Sequence, residues 1–276
     1  MKTLNKMLTA LNTFTSPVHW RKHRAVELSY LAPVSADRIK EKTLIIIVVH
    51  KYVKRLETLV SSIRGHKEHS PYDIIVVNNN SDAHIRKFLL GNRINFFERC
   101  NEYQNNGGWN AAILRHPDYR YYLCLDDDTY VVRDNWLSSY IKIAADDTIG
   151  CVGNYYCAMK TFYHLGHDKL ERTLKLNLAK NGLLDSLDDS VDHVQSSAVM
   201  LKNTVLCNHG LWQMFMPNNK FSTVLSEVEM SVRLRKKKYV IGALPEVSFG
   251  HRNYKYETLP AEYVEQLDSY ATHHGI

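Results

Sequence analysis

The chain has 276 residues, of which 45% are hydrophobic and 23% charged, and its formal net charge is +6. These proportions are typical of a folded globular protein and exclude a disordered or fibrous chain. The longest uninterrupted apolar run, Leu44 to Val49, is far shorter than the roughly 20 residues that a membrane-spanning helix needs. We therefore expect no transmembrane segment.

The positive charge is concentrated at the start of the chain. Residues 1–42 hold eight basic and three acidic residues, and their first part has apolar residues at helical spacing. Such a basic amphipathic segment fits an anionic membrane surface, a nucleic acid or a solvated face. No secretory signal opens the sequence, and the five cysteines lack metal-type spacing, so we expect reduced thiols in a cytoplasmic protein. If the basic segment binds lipid, we expect the protein to be peripheral at the inner face of a membrane.

From Thr43 onward, apolar strand patterns alternate with amphipathic helix patterns. Strands are predicted at 44–49, 74–77, 94–97, 121–125 and from 239 toward 247, and helices at 53–63, 83–90, from 109, from 226 and near 260–267. The alternation predicts βαβ units and an α/β fold with a mostly parallel central sheet flanked by helices. Ligands of such sheets bind beyond the carboxyl ends of the strands, where His50, Asn78 and the aspartate triplet 126–128 fall.

The triplet Asp126, Asp127 and Asp128 directly follows a predicted buried strand. Adjacent carboxylates repel one another unless a cation or solvent compensates them. If the strand continues, Asp126 and Asp128 face one side and Asp127 the other. Carboxylate oxygens suit Mg²⁺ or Mn²⁺, so the position favours a metal site over an exposed acidic turn.

Three further features carry possible chemistry. The run from Asn105 to Asn110 is polar and contains two glycines, and we predict a loop that lets a phosphate or sugar approach the helix after it. Glu227 and Glu229 are two residues apart on a predicted helix and point in different directions, so only one can face a cleft. His251 follows a strand pattern and is either a structural residue or a metal ligand.

Taken in order, these segments resemble the family-2 glycosyltransferases with a GT-A (nucleotide-diphospho-sugar transferase) fold. The matching motifs are the V-D-N-x-S-x-D turn at Val77–Asp82, a shortened N-x-G-x-x-x-x-N loop at Asn105–Asn110, the DxD at Asp126–Asp128, the E-D-x-D-L-x-x-R helix at Ser226–Arg233 and the late His251. The resemblance covers about residues 43–255. It implies a basic N-terminal extension with an amphipathic helix (1–42), a GT-A domain (43–255) and a C-terminal helix or tail (256–276).

The resemblance implies a metal-dependent hexosyl- or pentosyltransferase that moves a sugar from a nucleotide-sugar donor to an acceptor hydroxyl, with inversion at the anomeric carbon as the family norm. Asp126, Asp128 and His251 would bind Mn²⁺ or Mg²⁺, and Glu227 would be the catalytic base. The donor nucleotide would contact His50, Asn78, Asn80, Asn106, Gly107, Asn110 and Asp127. Trp212 is either an acceptor platform or a core residue, and Glu229 is the rival base.

The sequence departs from the family pattern at three positions. Asn78 and Glu227 each stand where the family has Asp, and Ser226 stands where it has Glu. The first change weakens the case for a uridine donor, because an amide both donates and accepts hydrogen bonds. A polysaccharide or lipid-linked glycan acceptor fits the basic segment, and a modified DNA base is an alternative.

Two other classes of protein remain as alternatives. One is a sugar-1-phosphate nucleotidyltransferase, although the glycine-rich signature of that class is missing near the first strand. The other is a basic nucleic-acid-binding protein without catalytic activity, although no aromatic-interleaved basic motif supports nucleic acid as a partner.

Overall fold

A computed structural model describes residues 28–80, 82–154, 156–157, 175, 179, 193–194, 197–214, 220–244 and 248–251, and for 156–157, 194, 220–225 and 251 it describes the backbone alone. The predicted helices near the two ends of the chain, the domain boundary at 255/256 and the segment Met159–Asp192 assigned to acceptor loops lie wholly or mostly outside these residues. The predicted boundary at 42/43 is described and falls within a strand, Lys40–Val49.

Strands and helices alternate along the described chain, as predicted. After a 3₁₀ turn at Ala36–Arg38, the strands are β1 (Lys40–Val49), β2 (Tyr72–Asn79), β3 (Asn95–Arg99), β4 (Tyr119–Asp126), β5 (Thr129–Val131), β6 (Ile149–Gly153), β7 (Tyr156–Cys157), β8 (His193–Val194), β9 (Ala198–Lys202), β10 (Val240–Ala243) and β11 (Phe249–His251). The helices are α1 (Val53–Gly65), α2 (Ala83–Gly91), α3 (Gln104–Arg115), α4 (Trp136–Ala144), α5 (Asn203–His209) and α6 (Lys220–Lys236).

Seven strands form the central sheet in the order β10-β6-β9-β4-β1-β2-β3. Neighbours are parallel except that β9 runs antiparallel to both β4 and β6. Two small antiparallel pairs, β5 with β11 and β7 with β8, lie outside this sheet. The predicted α/β fold with a mostly parallel sheet is confirmed.

Strand β1 shows why the sheet forms the core. Its alternate residues Ile45, Ile47 and Val49 belong to one buried cluster, and Leu44, Ile46 and Val48 belong to another on the opposite face. A strand buried on both faces reads as a continuous apolar run, which is the pattern seen here. Helices α1 and α3 cover the two faces and carry their own buried apolar side chains into these clusters.

The start of helix α2 agrees with the prediction from its capping residue. The Asp82 carboxylate accepts hydrogen bonds from the N–H groups of His84, at 2.9 Å, and Ile85, at 3.1 Å. This is the N-cap interaction that Asp favours at the first turn of a helix. The turn that precedes α2 therefore serves as a cap.

Two predicted boundaries are wrong. Asn105–Gly108 is not a loop, because α3 begins at Gln104 and includes all four residues. The helix can pack there because Gly108 lacks a Cβ, which would lie 2.6 Å from Val48 Cγ2. Likewise α6 begins at Lys220, so Ser226–Glu229 lies in the middle of the helix.

The structure bears on two expectations, one about membrane-spanning helices and one about the cysteines. None of the helices in the described part of the chain is long and apolar enough to cross a bilayer. Cys100, Cys124, Cys151 and Cys207 are free thiols, of which Cys124 and Cys151 are buried and Cys100 is exposed, and the Cys157 side chain lies outside the described residues.

Candidate active site

The carboxyl ends of three neighbouring strands bring the predicted site residues together. Strand β1 lies between β2 and β4, with Val49 opposite Asn78 and Val48 opposite Asp126. His50 follows the last residue of β1. These polar side chains therefore follow buried strands at one edge of the sheet, where parallel sheets bind ligands.

Asp126 is the centre of a cluster of carboxylates. Burial raises the pKa of the Asp126 carboxyl well above its usual range. The carboxylates of Asp128, Glu227 and Asp127 raise it further, in that order. Asn105 donates a hydrogen bond to Asp126 Oδ1, which acts in the opposite direction. Burial and the neighbouring carboxylates thus both disfavour the charged form of Asp126, and a proton or a bound cation would relieve that cost.

The prediction that Asp127 faces away from Asp128 is wrong. Strand β4 ends at Asp126, and Asp127 and Asp128 form a tight turn into β5. Both carboxylates lie beside Arg55 of α1, whose Nη1 is 3.4 Å from Asp128 Oδ2 and 3.9 Å from Asp127 Oδ1. The guanidinium also lies over the Tyr52 ring, 4.4 Å from its centroid. A turn does not alternate its side chains as a strand does.

The backbone of His251 lies next to the aspartate turn. Strand β11 pairs with β5 so that His251 is opposite Thr129, the residue directly after Asp128. Thr129 Oγ1 in turn donates to the carbonyl oxygen of Asp126, at 2.8 Å. Residues that are more than 120 positions apart in sequence are therefore neighbours in the fold, as the resemblance implies.

The residues present fit a hard divalent cation. Several carboxylates converge on Asp126, and Asp128 is only 6% exposed. Oxygen ligands of this kind suit Mg²⁺ and Mn²⁺. Among the described residues, no three His, Cys, Asp or Glu side chains are arranged so that they could hold a metal ion together, and the His251 side chain is outside that set.

The two candidate bases on helix α6 have different surroundings. Glu229 is 1% exposed and accepts hydrogen bonds from Arg233 Nε at 2.6 Å and Nη2 at 3.0 Å. Arg233 also donates to the carbonyl oxygens of His209, Gly210 and Leu211 at the end of α5. Glu227 is 8% exposed and acts on the pKa of Asp126. The two acids therefore have different surroundings, and Glu227 is the one near the aspartates.

The amide of Asn78 is engaged by its own surroundings. Its Nδ2 donates to the carbonyl oxygen of Asp82, at 3.1 Å, and to Glu98 Oε1, at 3.0 Å, while its Oδ1 accepts from the Asp82 N–H, at 3.2 Å. Glu98 also accepts from Arg86, and that pairing is the main cause of the lowered pKa of the Glu98 carboxyl. Asn78 therefore holds the β2–α2 turn.

The loops at this edge contain several residues in the left-handed region of backbone space. These are Asn80, Tyr103 and Gln104, with φ of 128°, 58° and 48°. His50 Nδ1 lies 2.7 Å from the carbonyl oxygen of Asn79, so Nδ1 carries the proton in that contact. Backbone strain of this kind is concentrated at functional sites.

The predicted donor contacts on α3 are buried in the packing of that helix. Asn106 is buried, and a Cβ on Gly107 would lie 2.4 Å from the carbonyl oxygen of Glu102. The Asn110 side chain donates to the Trp212 carbonyl oxygen at 2.8 Å and accepts from the Trp212 N–H at 3.1 Å. These residues fix the position of the helix N-terminus at the site.

Of the two interpretations of Trp212, the structure favours the core. The side chain is 2% exposed and packs against Trp109 with ring centroids 5.5 Å apart. A buried indole offers little of its face to a sugar, which supports a core role over an acceptor platform.

Several residues at the site were missed by reading the sequence. Arg55, Glu98 and Asn105 contact the aspartates or Asn78 from other elements, and Asn154 holds the strand that carries His251. No local pattern indicates Arg55, because it lies on α1, which begins at Val53, whereas His50 precedes that helix. The other contacts depend on strand register and packing.

The family profile of Glycosyl transferase family 2 matches residues 44–206, which is more than half of the chain. The chain belongs to glycosyl transferase family 2. The matched residues include the Asp126–Asp128 turn and end before Glu227 and His251. The predicted membership, and with it the enzyme class of glycosyltransferase, is confirmed.

Solved structures support the fold of this family member. The mannosyltransferase PcManGT from Pyrobaculum calidifontis, in complex with GDP-Man and Mn²⁺, is 13% identical with a TM-score of 0.55, over 92% of this chain and 68% of that one. Glucosyl-3-phosphoglycerate synthase from Mycobacterium tuberculosis, in complex with Mn²⁺ and UDP-glucose, is 12% identical with a TM-score of 0.51, over 82% and 75%.

A third similar structure is GalNAc-T7 with UDP, GalNAc and Mn²⁺, which is 13% identical with a TM-score of 0.52, over 76% of this chain and 43% of that one. The divalent cation predicted from the sequence is thus the one present in all three neighbours. A comparison with curated protein sequences found no significant match.

Proposed function

We propose that this family-2 glycosyltransferase transfers a sugar from a nucleotide-sugar to an acceptor hydroxyl in a metal-dependent, inverting reaction. The observation that carries the proposal is the group of carboxylates around Asp126 at the carboxyl edge of the sheet, with Asp128 and Glu227 next to it. A cation bound among these acids would lower the cost of burying their charge, and it would also neutralise the diphosphate of a nucleotide-sugar.

Asp128 and His251 are the proposed metal ligands, and Asp126 contacts the metal or the ribose of the donor. When bound, a divalent cation supplies neutralisation of the charge on the departing nucleoside diphosphate. The β5–β11 pairing supports this assignment because it holds the His251 backbone next to Thr129. Arg55 shares the negative charge of Asp127 and Asp128 from the other side.

Glu227 is the proposed base. The acceptor oxygen forms a bond to the anomeric carbon as the bond from that carbon to the diphosphate oxygen breaks. The acceptor proton passes to the Glu227 carboxylate, and the leaving group carries away the electron pair of the broken bond. A single displacement of this kind inverts the anomeric centre. The pairing of Glu229 with Arg233 supports the choice of Glu227.

The donor nucleotide is proposed to lie along His50, Asn80, Asp127 and the N-terminus of α3. Asn78, which is engaged by Asp82 and Glu98, orders the turn instead of reading the base. With its Nδ1 proton directed to the Asn79 carbonyl oxygen, a neutral His50 offers the lone pair of Nε2 to an N–H group.

The acceptor is proposed to be a glycan, either a polysaccharide or a lipid-linked one. The support is the excess of basic residues in 1–42, which is the charge that an anionic membrane surface attracts. This segment would bring the enzyme to the inner face of a membrane, where a lipid-linked acceptor is presented.

A panel of nucleotide-sugars with Mn²⁺ tests the proposal. GDP-mannose and UDP-glucose head the panel, and thermal stabilisation and slow donor hydrolysis are measured with and without the metal. We expect one donor to stabilise the protein only when Mn²⁺ is present. Asp128→Asn should abolish that stabilisation, whereas Asp118→Asn, which removes a carboxylate from the surface pair with Lys40 at the opposite edge of the sheet, should preserve it. Full turnover in Asp128→Asn and Glu227→Gln would overturn the proposal.

A further inference from the structure

The buried side-chain amide of Asn154 joins the end of β6 to the start of β11. It directly follows β6 and is 1% exposed. Its Oδ1 accepts hydrogen bonds from the N–H groups of Ser248 and Phe249, both at 3.0 Å. Its Nδ2 donates to the carbonyl oxygen of Phe249, at 2.7 Å. The side chain therefore binds two consecutive residues as a neighbouring strand would.

The strand that Asn154 binds is short and lies outside the main sheet. Strand β11 has three residues and pairs only with β5 within the described part of the chain. A further hydrogen bond, from the Val132 N–H to the Ser248 carbonyl oxygen at 3.1 Å, holds the residue directly before β11. An isolated two-stranded pair of this length is marginal in water. The three Asn154 contacts are thus a large part of what fixes β11.

Packing places β11 in one position over β5. The Phe249 ring contacts Trp136 edge-on, with ring centroids 5.4 Å apart. A Cβ on Gly250 would lie 2.3 Å from Tyr130 Cζ, so the backbone of β11 runs directly against that ring. Two residues after Phe249, His251 lies opposite Thr129. A shift of Phe249 by a fraction of an ångström would therefore be transmitted to His251.

We propose that Asn154 is a positioning residue for the metal site: by fixing Ser248 and Phe249 it sets where His251 meets the Asp126–Asp128 turn. This inference rests on the proposed role of His251 as a metal ligand. Partners that orient a metal ligand without touching the metal commonly change metal affinity by about 10- to 100-fold when removed. Asn154 is connected to the ligand through one short strand and has that kind of role.

The chain offers a matched control in Asn203. The Nδ2 of this buried amide contacts the carbonyl oxygens of Pro117 and Tyr119 and the Tyr122 hydroxyl, and its Oδ1 accepts from the Cys207 thiol. It lies at the start of α5 and contacts the amino end of β4, at the opposite edge of the sheet from the aspartates. Loss of either amide leaves buried main-chain groups without partners, and only the loss of Asn154 should affect the metal.

The experiment measures the affinity of the protein for Mn²⁺ from the electron paramagnetic resonance of the free ion. We expect Asn154→Ala to weaken Mn²⁺ binding by about 10-fold or more, and Asn203→Ala to change it by less than about 2-fold. Asn154→Ser, which keeps a polar group in the buried position, is the second variant if the alanine variant fails to fold. Hydrogen exchange of the Phe249 and His251 amides should accelerate in both Asn154 variants.

A double-mutant cycle with His251→Ala separates this inference from the proposed function. If Asn154 acts through His251, the double variant should bind Mn²⁺ no more weakly than His251→Ala alone. An unchanged affinity in His251→Ala, or no Mn²⁺ binding by the wild type, would overturn the proposed metal site and this inference with it. If His251→Ala weakens Mn²⁺ binding but the Asn154 variants bind Mn²⁺ as tightly as the Asn203 control, the positioning role alone is overturned.

Discussion

Arg233 binds both oxygens of the Glu229 carboxylate, with Nε 2.6 Å from Oε1 and Nη2 3.0 Å from Oε2. The pair is one turn apart on α6 and is almost wholly buried. A bidentate contact of this kind fixes the geometry of both side chains. Glu229 is thereby part of the connection between α6 and the end of α5, because the same guanidinium also binds the carbonyl oxygens there.

This relationship predicts opposite effects for the two glutamates of α6. Glu227→Gln should lower kcat by about 10²- to 10⁴-fold with little change in the free energy of unfolding, because it removes a proton acceptor. Glu229→Ala should lower the free energy of unfolding by about 3 kcal/mol, because it leaves a buried guanidinium without its partner. Turnover assays and urea denaturation measure both. A stable, inactive Glu229 variant beside an active Glu227→Gln variant would reverse the assignment.

The close contact of α3 with β1 predicts that Gly108→Ala is destabilising. The new Cβ would lie 2.6 Å from Val48 Cγ2, so the helix must move away from the strand. We expect a loss of about 1–3 kcal/mol in the free energy of unfolding. Val48→Ala in the same chain should restore part of it by making room. Gly65→Ala, at the end of α1 where nothing lies within 4 Å of the new Cβ, is the control and should be neutral or slightly stabilising. Equal losses at both glycines would contradict the packing argument.

The network around Asn78 predicts that restoring the Asp of the family is harmful. In Asn78→Asp the donor to Glu98 Oε1 is lost, and two carboxylates come to lie within hydrogen-bonding distance. We expect a loss of about 1–3 kcal/mol in the free energy of unfolding at pH 7. Glu98→Gln in the same chain should recover much of this loss, since its neutral amide can donate to the new carboxylate. A fully stable Asn78→Asp variant would show that the turn does not need the amide.

Glu68 predicts a pH-dependent contribution to stability. Its carboxylate accepts hydrogen bonds from Ser138 Oγ and from the N–H groups of His69, Ser70, Leu137 and Ser138, which joins the loop after α1 to the start of α4. Burial acts to raise the pKa of Glu68, but these hydrogen bonds outweigh it and hold the pKa below its usual value.

Because the pKa of Glu68 is lower in the folded than in the unfolded protein, its stabilisation is complete above the unfolded value of 4.5 and is lost as the pH falls through the folded value. Glu68→Gln should therefore cost about 1–2 kcal/mol at pH 7, reduced by the partial solvent contact of the site, and progressively less below pH 4.5. Urea denaturation across this range checks the sign, with the exposed Glu57→Gln as control. A cost that grows on acidification would contradict the linkage.

The sequence was sufficient for features that depend on neighbouring residues. The unbroken apolar run of β1 predicts a strand covered on both faces, and Asp82 ahead of an amphipathic pattern predicts the start of α2. Burial on both faces and N-capping are local in their chemistry. Both predictions are confirmed.

Features that depend on distant packing were mispredicted. The two glycines at 107–108 suggest a loop, yet both lie within a helix. At each of them a Cβ would collide with another backbone or side chain. At the Asp127–Asp128 turn, two carboxylates lie beside the guanidinium of Arg55, which is 72 positions before Asp127 in the sequence. Only the register of β1, β2 and β4 reveals such contacts.

The pairing of β6 with β9 places the two ends of a long connection next to each other. The chain leaves the sheet after Gly153 and returns at Ala198, and Gly153 pairs with Val199 on the adjacent strand. The exit and the return are thus separated by about one strand spacing, 4.8 Å. A change in the length of this connection therefore need not alter the pairing of β6 with β9, provided that Asn154 at its start keeps its hydrogen bonds to Ser248 and Phe249.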